Sequence, residues 1–253
     1  MSLSVISLDE AQSTNTVLAG MPDAAHGTVV TCRAQTAGRG QRGNTWEAEP
    51  GKNLTFSLML RPRHISARRQ FELSMAVSLG ILDALDRLVD PARLTIKWPN
   101  DIYWDNLKLA GILIENSLSS SGIDRSIVGI GLNVNQTRFV SDAPNPVSLA
   151  AILGVEHDLD TLLRDVCDAI VARFDAHDAA SAVADDIQVT SRLTADYKAR
   201  LWRNDGNPHM WHDTRDGRLF AGTIADVLPD GTLLVADGTA TTPYLFKEIA
   251  AVL

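Results

Sequence analysis

Cysteine is scarce in this chain. Its 253 residues include two, Cys32 and Cys167, far apart and in no redox or metal-ligating spacing. That excludes a disulfide framework and fits a reducing, cytoplasmic setting in which both thiols are small core residues. Long apolar runs are missing too: none approaches about 18 residues, so no membrane span is expected. The opening MSLSVISLDEAQ has no basic start and soon meets Asp9-Glu10, unlike a signal peptide. Of six histidines, only His209 and His212 lie close together, and no carboxylate stands at a useful spacing. No metal-binding residues are therefore assigned. The net charge of -8 argues against non-specific nucleic-acid binding.

What is present is ordinary in bulk and uneven in detail. A hydrophobic fraction of 45% and a charged fraction of 21% support a soluble globular core. Between Arg33 and Arg69, however, eight basic residues face only Glu47 and Glu49, a local +6 in a chain of -8. A basic island in an acidic protein fits a local anionic ligand such as a phosphate, although a solvated basic face has the same signature.

Read along the chain, Ser7 with Glu10 three positions later is a capping box and predicts a helix from about Ser7. Residues 27–35 (GTVVTCRAQ) and 52–60 (KNLTFSLML) read as strands. Residues 66–89 carry Phe71, Met75, Leu79, Leu82, Leu85 and Leu88 at helical spacing. Pro99-Asn100-Asp101 forms a turn between two strand-like runs, and residues 125–136 are another strand. Helical patterns follow at 148–154, 160–176 and toward Leu201. The tail holds short alternating runs split by Pro229-Asp230-Gly231 and Asp237-Gly238, which predict hairpins and a small closed β-barrel. The class is α+β rather than alternating βαβ. A polar turn cluster places a boundary that divides residues 1–204 from 205–253.

Gly38, Gly40 and Gly43 match G-x-G-x-x-G, the spacing of a dinucleotide-binding turn. The context excludes that reading. Pro50 and Gly51 lead into a strand instead of a helix, and the positions about 20 residues later are Arg61, Arg63 and His64, with no acid. Glycines interleaved with Arg39 and Arg42 instead suit a flap that closes over an anion. A second cluster, KWPND and KLAG, supplies Lys97, Asn100, Asp101 and Lys108 within a dozen residues. A hairpin there brings them together, with small residues leaving space beside Lys108. In GIGLNVN, Gly129 and Gly131 share a strand face with Asn133 and leave room for a flat group.

Taken in order, STN, GRGQRGNTW, KWPND, KLAGILIE, GIGLNVN and a β-rich tail resemble the biotin protein ligases over almost the whole chain. The resemblance implies a mixed β-sheet flanked by helices, of the kind shared with class II aminoacyl-tRNA synthetases, followed by an SH3-like barrel. It implies formation of biotinyl-5′-AMP from biotin and ATP with Mg²⁺, then transfer of biotin to a lysine of a biotin carboxyl carrier protein. Ser13, Thr14, Asn15 and Gln35 would meet the biotin ring. Arg39, Gly40 and Gln41 would cover the carboxylate and α-phosphate, Lys108 would bridge the two, and Gly111 and Ile112 would line the site. Arg42, Asn44, Trp46, Lys97, Asn100 and Asn133 would serve the nucleotide, and Asp101 the incoming amine. Lys108, Arg39 and Asp101 are thus the implied catalytic set.

Two departures stand out. Gln41 replaces a basic residue that helps relatives retain the adenylate, and the chain ends KEIAAVL, where Glu248 and Lys247 are the nearest counterparts of a barrel residue that reaches ATP. No helix-turn-helix fits before Ser13, so no DNA partner and no repressor role are expected, and a homodimer is compatible. The alternatives are a lipoate or octanoate ligase, or a non-catalytic biotin or nucleotide sensor.

Overall fold

The central strand β3 (Leu54–Leu60) is buried at all seven positions, because the sheet around it is covered on both faces. The computed structural model describes residues 3–40, 45–119, 122–140, 145–182 and 186–252, with residues 186 and 187 by backbone only. The large sheet has the order β1-β2-β3-β7-β6-β5-β4. Its strands are β1 (Ser4–Ala11), β2 (Thr28–Gln35), β3, β4 (Leu94–Lys97), β5 (Asp101–Trp104), β6 (Leu107–Ser119) and β7 (Gly122–Leu132). β1 runs parallel to β2, and every other pair is antiparallel. The sheet is therefore mixed and flanked by helices, as the α+β reading requires.

One face is covered by α2 (Phe71–Leu85), α4 (Leu159–Ala180) and α5 (Asp186–Ala199). α2 and α4 approach closely at Gly80, where a Cβ would lie 2.6 Å from Ile170 Cα. The other face carries α1 (Thr14–Ala19), which buries Leu18 with Val30, Met59 and Ile127 in a smaller core. Short α3 (Leu149–Leu153) is capped by the Ser148 hydroxyl, which accepts from Ala151 N–H. The predicted helix 66–89 is shorter, with a 3-10 turn at Ala67–Arg69 ahead of α2.

The helix predicted from Ser7 is not formed. Residues 4–11 are strand β1, and Ser7 pairs with Thr31. The cause is packing: Ile6 and Leu8 meet the core under α1, while Val5 meets the main core on the opposite face. An alternating segment at a sheet edge satisfies all three, whereas Ser7 and Glu10 are exposed with no apolar stripe at helical spacing behind them. The helix begins at Thr14, with Ser13 as its N-cap.

The tail forms β8 (His209–Asp213), β9 (Leu219–Val227), β10 (Leu233–Ala236), β11 (Thr241–Tyr244) and β12 (Ile249–Ala251), ordered β11-β10-β9-β8-β12 and antiparallel throughout. The two predicted turns join β9 to β10 and β10 to β11. Among the described residues no pairing joins the two ends, so the sheet is open where a closed barrel was expected. It seats against the turn after β4 through the Trp98 indole N–H, which donates to Gly231 O at 2.9 Å, and against α5 through the Lys198–Asp226 ion pair at 2.8 Å. His209, read from sequence as lacking a carboxylate, bonds Asp205 at 2.9 Å. Among the described residues no helix is long and apolar enough to cross a membrane.

Candidate active site

The β4–β5 and β5–β6 hairpins build the reactive end of the site. Lys97 closes β4, a turn containing the cis Trp98-Pro99 bond follows, and Asp101 opens β5 opposite both Lys97 and Gly111. The β5–β6 register then slips by one residue, with Ile102 facing Ala110 and Tyr103 facing Lys108. Such a bulge re-aims a side chain. Here it turns Lys108 toward the same side as Gly111, with Lys108 Cε 3.4 Å from where a Gly111 Cβ would be. Lys108 Nζ donates to Asp101 Oδ2 at 2.7 Å, both side chains being about one-quarter to one-third exposed (26% and 30%).

The turn itself is held from below. Asn100 is buried and its side-chain amide donates to Ile112 O. Tyr197 of α5, fully buried, donates its hydroxyl to Pro99 O at 2.8 Å. Burial, helped by the nearby Asp101 charge, pushes the Tyr197 hydroxyl far above its ordinary range, so it stays a donor. Lys97 Nζ donates to Tyr103 OH at 3.0 Å and also stands 5.7 Å from the Trp202 ring centroid.

The opposite end is a small hydrogen-bonded floor. Thr14 N–H donates to Gln35 Oε1 at 2.9 Å, tying the start of α1 to the end of β2. Ser57 Oγ lies 2.5 Å from Asn15 Oδ1 and 2.7 Å from Thr14 Oγ1. One hydroxyl has one proton, and Asn15 Oδ1 can only accept, so Ser57 donates to Asn15 and Thr14 is left to donate to Ser57. Asn15 Nδ2 donates in turn to Glu115 Oε2 at 2.7 Å. Glu115 also receives both arms of the Arg39 fork, at 3.2 and 3.0 Å.

Between these ends lies a cleft of about 1040 Å³. Ser13, Thr14, Asn15, Gln35, Arg39, Gly40, Trp46, Lys97, Asn100, Asp101, Lys108, Gly111 and Ile112 all line it, so most of the sequence-predicted set converges. Trp211 of β8 and Phe246 and Lys247 of the turn between β11 and β12 complete one wall. The volume is at the upper end for small-molecule sites of about 300–1,000 Å³. Gln41, Arg42, Gly43 and Asn44 lie outside the described residues. Among the described residues no group of three or more His, Cys, Asp or Glu is arranged to hold a metal ion.

Two expectations change. Gly129 and Gly131 do make room, but the chain itself fills it: a Cβ on Gly129 would collide with the Asn15 amide, and one on Gly131 would fall inside the Trp46 indole. Trp46 Nε1 is buried with no hydrogen-bond partner among the described residues. Asn133 is buried beside the cleft without lining it. Its Nδ2 donates to Val147 O at 3.0 Å, binding the end of β7 to the segment before α3. Ser57 and Glu115 went unnoticed in the sequence. A serine on a fully buried strand and an acid ending the apolar run LAGILI were the signals available.

The α+β scaffold thus floors a cleft of small-molecule size with hydrogen-bonding groups at one end and carboxylate-paired cations along it. The model of the biotin/lipoate A/B protein ligase family matches residues 8–133 of this chain. A biotin–[acetyl-CoA-carboxylase] ligase of Mycobacterium tuberculosis is 32% identical over 210 residues, 81% of this chain and 66% of that protein. One from Paracoccus denitrificans is 44% identical over 106 residues, 42% of this chain and 43% of that protein. The chain thus spans less than two thirds of either relative's length. The biotin protein ligase of Aquifex aeolicus in complex with biotin and ATP superposes with TM-score 0.77 at 24% identity, over 98% of this chain and 97% of that one. The Leishmania major biotin protein ligase with biotinyl-5-AMP gives TM-score 0.60 at 21% identity, over 97% and 100% of the two chains. At these identities the likeness is one of fold.

Proposed function

We propose that this protein is a biotin protein ligase. It joins biotin to AMP and then passes biotin to a lysine of a biotin carboxyl carrier domain of an acyl-CoA carboxylase. The observation that carries this reading is the cleft itself, which joins a hydrogen-bonding floor to the cations Lys97, Lys108 and Arg39 along it. Gln35, Ser13 and Thr14 suit the ureido ring, whose N–H and C=O groups need both acceptors and donors. A site of this kind rejects analogues that leave its polar groups unpaired.

In the first step a biotin carboxylate oxygen attacks the α-phosphorus of ATP, and the bond to pyrophosphate breaks. Two anions must meet, so cations are required. Lys108 bridges carboxylate and α-phosphate, and Arg39 covers them from the loop after β2. Arg42, Asn44 and Gln41, close by in sequence, would serve the adenylate with Arg39, Trp46 packs on it, and Lys97 and Asn100 serve the phosphate side. Mg²⁺ would enter with the triphosphate and offset part of its charge, which asks few ligands of the protein. In the second step the acceptor amine attacks the acyl carbonyl and AMP leaves. Asp101, released when Lys108 turns to the phosphate, takes the amine proton. We take residues 1–204 as the catalytic part and 205–253 as an SH3-like part that walls the cleft and helps exclude water from the anhydride.

Isotope exchange between pyrophosphate and ATP tests this directly. Biotin supports exchange and lipoate and octanoate do not. Exchange with lipoate or octanoate alone would move the chain to the sister branch of its family. Binding of biotin with no exchange for any acid would make it a sensor.

A further inference from the structure

Two of the positive charges lining the cleft have resident carboxylate partners. Lys108 is paired with Asp101, and Arg39 with Glu115. The second pair is unequal in its footing. Glu115 sits on β6 and is held there by the buried Asn15 amide, itself fixed by Ser57. Arg39 lies on the loop after β2, where its backbone bridges Thr45. The side chains are 45% and 39% exposed, so solvent screens the pair and it is weak and readily exchanged.

The geometry points to Glu115 as a positioning residue that parks Arg39 at the mouth of the cleft and surrenders it to an incoming carboxylate or phosphate. This rests on the ligase reading above. A carboxylate fixed to the sheet stands in for the substrate anion while the cleft is free. A triphosphate, with more charge, then takes the guanidinium. When the adenylate leaves, Glu115 takes Arg39 back and so hastens release. The same carboxylate holds Asn15, so the floor and the loop share one anchor.

The test compares Glu115→Gln with Glu115→Ala in biotin-dependent exchange, with melting temperature and adenylate release measured for each. Glu115→Gln keeps an acceptor for Asn15 but loses the negative charge. Arg39 is then easier to recruit. KM for ATP falls about three- to fivefold, the worth of one partly exposed pair, kcat changes less than KM, and adenylate release slows. Glu115→Ala also unties Asn15 and raises KM for biotin. A residue that is only a structural prop cannot lower a KM. Raised KM values in both variants, or an unchanged KM for ATP in Glu115→Gln, overturn the proposal. Absence of biotin-dependent exchange in the wild type would instead fell the ligase reading and this inference with it.

Discussion

Replacing Lys108 by alanine is the sharpest perturbation of the reactive end. The ammonium lies 2.7 Å from Asp101 and faces the cleft beside Gly111. In the reaction it must stand between two anions. A unit charge about 4 Å from another, at an effective dielectric near 20, contributes about 4 kcal/mol. The open cleft is wetter than the closed one, so about 3–4 kcal/mol is expected in the transition state, or roughly 10²- to 10³-fold in kcat/KM. The variant also leaves the Asp101 carboxylate without its cation, facing the phosphates. A second variant, Lys108→Ala with Asp101→Asn, removes that repulsion. Exchange between pyrophosphate and ATP reports the first step alone, with melting temperature as a control for folding. Lys108→Ala falls by the stated factor with its fold intact, and the double variant recovers part of the loss without reaching wild type. Activity of Lys108→Ala within about tenfold of wild type would refute the assignment of the phosphate-bridging charge to this lysine.

Further expectations concern the cleft wall and the core. Gly131→Ala places a methyl where the Trp46 indole lies. Trp46 is driven from its seat, its emission shifts relative to wild type, and KM for ATP rises about tenfold or more by steady-state kinetics. Glu72 is fully buried and would be raised by that burial, but hydrogen bonds from His177, Arg69 and Thr190 bring it down to about 2 from an ordinary 4.5. A depressed carboxyl contributes stability that is complete above its unfolded value. Chemical unfolding at stepped pH should therefore show up to about 3 kcal/mol lost as pH falls from about 4.5 toward 2, and Glu72→Gln should flatten that slope. Cys32 and Cys167 are buried, and burial pushes both thiols up. A thiol reagent should label neither until denaturant unfolds the chain.

The fold was legible wherever one physical signal dominated. Strands β2 and β3 and the helix α2 showed in their β-branched runs and 3.6-residue spacing, and the β4–β5 hairpin showed in the turn residues Pro99-Asn100-Asp101. β1 was misread because a local capping signal competes with tertiary packing, and Ser7–Glu10 has no apolar stripe to win that competition. The ends of the tail sheet depend on long-range pairing, to which hairpin signals are blind.

The site divides along the same line. Lys108, Asp101 and Arg39 were legible because charged residues beside glycines and turns seldom serve a core. What escaped was which charges neutralise which. Glu115 reaches Arg39 across 76 positions and Asn15 across 100, and its partners are set by sheet order alone. The glycines of β7 illustrate the limit from the other side. Their missing side chains do signal close approach, as expected of glycine in a strand. They do not say what approaches. At Gly129 it is the Asn15 amide in the floor, and at Gly131 it is the Trp46 indole. On the ligase reading proposed above, three of the groups assigned to substrate already have partners within the chain: Arg39 has Glu115, Lys108 has Asp101, and the Gly131 face has Trp46. Substrate binding is then an exchange of partners rather than the filling of an empty hole. Its cost is set by three contacts, each of which a single substitution can remove.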